Sequence, residues 1–159
     1  ELDQDRPLQR DPLYAIRLLV DIAIHALSPA INDPTTAVEA LNRIEALLRT
    51  LGNAELQIGQ VQDTDGVVRL VYPTPTWEEY LHLGIIEILH YGADSVQVQR
   101  RIGMLLQSLH DVVPEARRAA VEKLAVERIA IVHRVFPDIY ECTIAEADDR
   151  QGLGRTWVA

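Results

Sequence analysis

The 159 residues include one cysteine and one lysine. They contain no run of about 18 apolar residues. Each absence excludes something. Cys142 alone forms no internal disulfide and no multi-cysteine metal site. That usage fits a reducing compartment, and a lone thiol in the tail reads as inert or buried. Without a long apolar run, this segment carries no bilayer span. Lys123 is the one lysine among fifteen basic residues, against twenty-four acidic ones, for a net charge of −9. Such a chain repels phosphate backbones, so nucleic acid is not an expected partner. No Lys/Arg cluster marks a polybasic membrane-surface patch. The phosphate-binding Gly-x-x-x-x-Gly-Lys loop and the Gly-x-Gly-x-x-Gly turn are missing. So is the Gly-x-Ser-x-Gly nucleophile elbow. No catalytic residue and no cofactor are assigned, and the reading leans away from an enzyme.

What is present is globular. Apolar residues make up 48% and charged residues 25%, ordinary values for a folded domain. A chain of this length is about one domain and buries roughly 70% of its unfolded surface. It opens on Glu1 rather than Met, the pattern of an excised or processed product.

Residues 1–10 are polar and read as a linker. Asp11-Pro12 then starts a helix: Asp accepts from free amides, and Pro is preorganised at the first helical position. The helix runs to about Leu27, where Ser28-Pro29 stops it. Asn32-Asp33-Pro34 repeats the start signal, and a second helix runs to about Leu51. Gly52 then suits a C-terminal cap. Residues 56–72 are β-prone around Asp63-Thr64-Asp65-Gly66, a hairpin signal. Two strands alone are marginal, so the hairpin must pack on the helices or pair with another chain. Thr76 and Glu79 form a capping box that opens a third helix, ending near Gly92. A fourth runs from Asp94-Ser95 to about His110. A fifth runs from Pro114 to about Phe136 and is apolar enough to pack centrally or at a subunit interface. The tail, 138–159, is ambiguous, with Ile139 to Ala147 open to a short helix. The expected architecture is all-α: a five-helix, bundle-like domain over 11–137 with one β-hairpin insert.

On the first helix, Tyr14, Arg17, Asp21, His25 and Ser28 fall in one strip about 80° wide. The rest of its circumference is apolar, the pattern of a central, buried helix. The strip reads in two ways. Arg17–Asp21 and Asp21–His25 are four apart and form a ladder of local pairs. Alternatively the strip lines a pocket, with Asp21 as acceptor, His25 as titratable donor and Arg17 as anion contact. The loop that follows adds Ser28, Asn32, Asp33, Thr35 and Thr36 to that candidate ligand site. Free amides after Asp33 can hold an anion, unless Asp33 itself occupies them as the cap.

The segment DPLYAIRLLVDIAIHALSPAINDPTTAVEALNRIEALL resembles the most recognisable stretch of a bacterial family of predicted membrane proteins, domain of unknown function 2254. The matching positions are Asp11, Pro12, Arg17, Asp21, Ser28, Pro29, Asn32, Asp33, Pro34, Thr35 and Thr36. His25 departs from the family's Arg, which weakens any mechanism that requires histidine. The resemblance is specific over residues 11–51. It implies a multi-pass membrane region in the parent protein, with this chain as its extramembrane C-terminal portion.

Two Glu-x-x-His spacings, Glu79/His82 and Glu87/His90, lie on the third helix. Di-iron bundles draw such motifs from two helices. Here Glu79 and His90 are about 16 Å apart along one helix and share no centre. A solvated, charged face is the better account, and His82 and His90 stay as weak metal candidates. His110 and His133 sit near helix C-termini, where the helix dipole accounts for them. The leading expectation is an extramembrane domain of a bacterial inner-membrane protein, on the cytoplasmic side, serving assembly or regulation. Its expected partners are its own membrane region and further copies of itself. The alternative is a small-ligand or ion-binding domain that uses the strip and the loop.

Overall fold

The computed structural model describes residues 11–56 and 59–147. These hold six helices and one hairpin: α1 Pro12–Ala26, α2 Pro34–Leu51, β1 Gln60–Gln62, β2 Val68–Val71, α3 Trp77–Tyr91, α4 Val96–Val112, α5 Glu115–Val135 and α6 Ile139–Glu146. The fold is all-α with a small β insert. The expected linker 1–10 and the end of the tail lie outside the described residues.

The helix starts follow from their caps. Asp11 Oδ1 accepts from the Leu13 and Tyr14 amides at 3.1 and 3.3 Å. Asp33 does the same for α2. Thr76 and Glu79 close the capping box of α3, with the Thr76 amide 2.7 Å from Glu79 Oε2. Ser95 caps α4 and Asp138 caps α6. Each cap satisfies amides that the first helical turn leaves without a partner.

Gly52 is the C-terminal cap of α2, as expected, with φ −61°. A Cβ there would lie 2.7 Å from Val113 Cγ1. Gly52 therefore serves close approach; at the other end of α2, Asn32 of the α1–α2 corner takes a positive φ of 47°. The C-terminal carbonyls of α2 are met by Arg117 of α5. Its Nη1 donates to Leu51 O and Gly52 O at 3.1 and 2.7 Å, and its Nη2 to Ala54 O at 2.9 Å. The same guanidinium stacks 5.9 Å from the Trp77 ring. Trp77 Nε1 donates to Arg117 O at 3.1 Å. One arginine and one tryptophan thus join α2, α3 and α5.

Helix α1 lies against α2 and α3, α2 against α4, and α4 against α5 and α6. Ile16, Leu41, Ile44, Leu48, Leu81, Ile85, Ile102 and Leu105 form the middle of the core. The central helix is α4, whose buried run extends from Val98 to Leu109 and includes Gln99, Arg100 and Arg101. The apolar circumference of α1 points to that helix instead, yet α1 sits at the flank. Tyr14 and Ile22 are 46% and 50% exposed there. Only α2 and α3 cover α1 among the described residues, so part of its apolar surface has no helix over it. Helix α5 buries Leu124, Ile131 and Val132 but exposes Val126.

The hairpin is antiparallel, with Gln60 opposite Val71 and Val61 opposite Leu70. Asp63 organises the turn. Its Oδ1 accepts from the Asp65 and Val67 amides, and Arg69 Nε donates to its Oδ2 at 2.7 Å. Gly66 takes φ 76°, the turn conformation that glycine adopts freely. Both strands contact each other and no helix among the described residues. Every residue of β2 is exposed.

Candidate functional site

The polar strip of α1 is in place, and it reaches α3. Arg17 Nε donates to Asp21 Oδ1 at 2.9 Å, one turn further along α1. Its two terminal nitrogens donate to Glu87 of α3, at 3.2 Å for Nη2 to Oε2. Glu87, then Asp21, hold the guanidinium further into its charged range. The three side chains are 38%, 53% and 43% exposed for Arg17, Asp21 and Glu87. Solvent screens such a network, so it contributes less than about 1 kcal/mol. Arg17→Ala is expected to lower stability by no more than that. The deficit shrinks further in high salt, as read by urea denaturation at two ionic strengths.

The His25 side chain is exposed at the end of α1 and makes no hydrogen bond or ion pair with the described residues, while its carbonyl accepts from the Ser28 amide at 3.2 Å. The Ser28 carbonyl accepts from the Ile31 and Asn32 amides at 3.0 and 2.8 Å. The Asp33 amide then returns to Ala26 O at 2.8 Å. This backbone-bonded corner turns the chain from α1 into α2. The Asp33 carboxylate accepts from the Thr36 amide at 3.1 Å and from the Thr36 hydroxyl. Those bonds, the hydroxyl first, hold the Asp33 carboxyl below its ordinary range. Asp33 thus occupies amides that an anion would need. Thr35 is exposed beside it.

The structure therefore brings Arg17 together with Asp21, and Asp33 with Thr36. No side-chain hydrogen bond joins the strip to the corner among the described residues. A cleft of about 300 Å³ lies elsewhere, between α4 and α5, lined by Gly103, Leu106, Gln107, Val121 and Ile129 among others. None of the eight candidate residues lines it. On α3, Glu79 is taken by the capping box, and Glu87 pairs with Arg17. His82 is exposed, and His90 lies 3.8 Å from Glu127 of α5.

Three further polar arrangements are built from residues far apart in the chain. The first is a seam between α2 and α4. Arg101 Nε donates to Asn42 Oδ1 at 2.7 Å, and its Nη2 donates to Glu45 Oε2. The Ser108 hydroxyl donates to Glu45 Oε1 at 2.6 Å and accepts from Arg49 Nη1 at 2.6 Å. Arg101 is 2% exposed and Glu45 13%. The only sequence signal for this seam is Glu45 four residues before Arg49. The second is Arg128 of α5. Its Nη1 donates to Gln99 O at 3.0 Å and Ala145 O at 3.1 Å, and its Nη2 to Glu146 O at 3.2 Å. The C-terminal carbonyls of α6 are thus tied to α4 through α5. The third is His133, Cys142 and Glu146, whose ligating atoms all lie within 4.8 Å of one another. The four-residue spacing of Cys142 and Glu146 marks two of its members on a helix. His133 joins them only through the α5–α6 corner.

No described helix is long and apolar enough to cross a membrane. Comparison with known proteins places the chain. The profile for a family described as "Predicted membrane protein (DUF2254)" matches residues 1–108. Uncharacterised proteins of Mycobacterium bovis and of two Mycobacterium tuberculosis strains are each 33% identical over 135 residues. Those matches cover 84% of this chain and 26% of each relative. The chain therefore spans about a quarter of the length of these relatives. No solved structure matches it. The match over the first 108 residues, which takes in the whole α1–α2 corner, shows that the chain belongs to the DUF2254 family of predicted membrane proteins.

Proposed function

We propose that this helical unit is the extramembrane portion of a bacterial inner-membrane protein, lies on the cytoplasmic side, and serves assembly. It docks on the membrane region of its own parent protein, and the assembled protein is a homo-oligomer. The observation that carries this reading is the hairpin. Val68, Leu70, Val71 and Tyr72 are all exposed, and no described helix packs against β2. An isolated two-stranded hairpin with an apolar surface is marginal in water and gains stability from a partner. The relatives supply a source for that partner. About three quarters of their length lies outside the match, and the family is described as membrane protein. Arg17, Asp21, Asp33 and Thr36 support the same reading, because a local pair and a helix cap already use them.

A photoreactive amino acid at Val71 of the full-length protein in native membranes tests the docking. The expected adduct lies within the membrane region of the same chain. An adduct to a second copy, or none, contradicts it. A reporter fused to the C-terminus tests sidedness: a cytoplasmic signal is expected and a periplasmic one contradicts it.

A further inference from the structure

We propose that His133, Cys142 and Glu146 form a binding site for one borderline-soft divalent cation of the Zn²⁺ type. His133 lies in the last turn of α5, and Cys142 and Glu146 lie one turn apart on α6. His133 Nε2 is hydrogen-bonded to Glu146 Oε1. The Cys142 thiol donates to the same oxygen at 3.7 Å. All three ligating atoms fall within 4.8 Å. Around a tetrahedral zinc with bonds of about 2.0–2.3 Å, neighbouring ligand atoms sit about 3.5 Å apart. Small side-chain rotations bring this trio to that spacing.

The frame that holds the trio is tied at both ends of α6. Asp138 caps the start of α6 by accepting from the Tyr140 and Glu141 amides at 2.9 and 3.1 Å. Arg128 grips the carbonyls of Ala145 and of Glu146 itself at the other end. Val132, Phe136 and Ala145 are buried together beneath the corner. One ligand comes from α5 and two come from α6, so a bound ion fastens α6 to α5.

The donor set selects the ion class. A thiolate and an imidazole favour zinc-like ions over magnesium, calcium or manganese, which prefer oxygen. Partial burial, and then Glu146, hold the Cys142 thiol above its ordinary range in the metal-free protein. Binding breaks the S–H bond, forms the metal–sulfur bond and releases the thiol proton to solvent. The Nε2 lone pair and a Glu146 oxygen complete three protein ligands. His133 is 59% exposed, so the fourth position faces solvent and takes water, the arrangement of an open site.

The test uses the 159-residue chain stripped of metal and titrated with Co²⁺, then Zn²⁺. One equivalent of Co²⁺ is expected to give a thiolate-to-cobalt charge-transfer band that Zn²⁺ displaces. Cys142→Ser abolishes the band. His133→Ala and Glu146→Gln each weaken binding by about tenfold or more, since direct ligands matter at least as much as the groups behind them. Zinc also shields Cys142 from alkylation in the parent chain and not in His133→Ala. Circular dichroism checks that each variant is folded, and His133→Gln replaces His133→Ala if the latter is not. No band at micromolar Co²⁺ overturns the proposal. So does a band, or zinc shielding of Cys142, that is unchanged when His133 and Glu146 are replaced.

Discussion

Arg101→Ala is expected to destabilise the fold by about 3–5 kcal/mol, a large share of a domain's total stability. The seam between α2 and α4 explains the size. Arg101 is almost fully buried in the central helix and pairs with Glu45 and Asn42 of α2. Truncating it leaves the 13% exposed Glu45 carboxylate with the Ser108 hydroxyl and with the half-exposed Arg49, whose Nη1 is 3.6 Å away. The buried charge left with only a longer, partly solvated pair, rather than the lost attraction, sets the penalty. The pair is not optimal, because Arg101 Nη1 is buried without a hydrogen-bond partner. Replacing both ends with apolar residues is therefore expected to recover most of the loss. Arg101→Met with Glu45→Leu should unfold in urea within about 1 kcal/mol of the parent. A single Arg101→Ala that is neutral would mean that the seam is solvated. A double variant as unstable as the single one would mean that packing, not charge, is at stake.

The second large effect concerns α6. Arg128→Met is expected to weaken the docking of α6 by about 3 kcal/mol, an increase of about a hundredfold in its opening equilibrium. Arg128 donates to Gln99 O on α4 and to the last carbonyls of α6. Methionine keeps much of the volume and supplies no donor. A helix of eight residues has little stability without its packing. Undocking therefore melts α6 while the α1–α4 core stays folded, a local opening rather than a global one. Cys142 reports it directly: its alkylation rate should rise by about two orders of magnitude in Arg128→Met. An unchanged rate would show that the apolar contacts of Val132, Phe136 and Ala145 hold α6 by themselves.

These two arginines mark the boundary of what the sequence discloses. Local signals carry well. Asp11-Pro12, Asp33-Pro34 and the Thr76/Glu79 pair each name a helix start, because a cap is made by residues three apart. Asp63 to Gly66 names the hairpin turn for the same reason. Pairings across the fold leave no such trace. Arg101 and Glu45 are 56 residues apart, and nothing in either neighbourhood identifies the other. The apolar α1 looks central from its own composition, yet position depends on how many helices cover it. Helix α4 takes the centre although it carries Gln99, Arg100 and Arg101; Gln99 Nε2 donates to Leu89 O and Gly92 O, and Arg101 pairs with Asn42 and Glu45. Gly52 reads as the C-terminal cap of α2, which it is, but the need for glycine there comes from Val113, 61 positions along the chain. Of the candidate site, the Arg17–Asp21 pair and the Asp33 cap are legible from spacing. Glu87 as the third member of that network is not.

Around the α1–α2 corner, Arg17 and Asp21 pair with each other and Asp33 caps α2 with Thr36, so these four residues have structural roles. The most direct measurement is a thermal-shift screen of the chain against anions, nucleotides, metals and common metabolites, with Asp21→Ala and Asp33→Ala in parallel. A ligand at 100 times its Kd adds about 2.7 kcal/mol, a shift of roughly 5–10 °C for a domain of this size. The account predicts no shift that depends on Asp21 or Asp33. Both variants simply melt lower, and any Zn²⁺ shift persists in them. A ligand whose shift disappears in folded Asp21→Ala or Asp33→Ala would contradict it and make the corner a binding site.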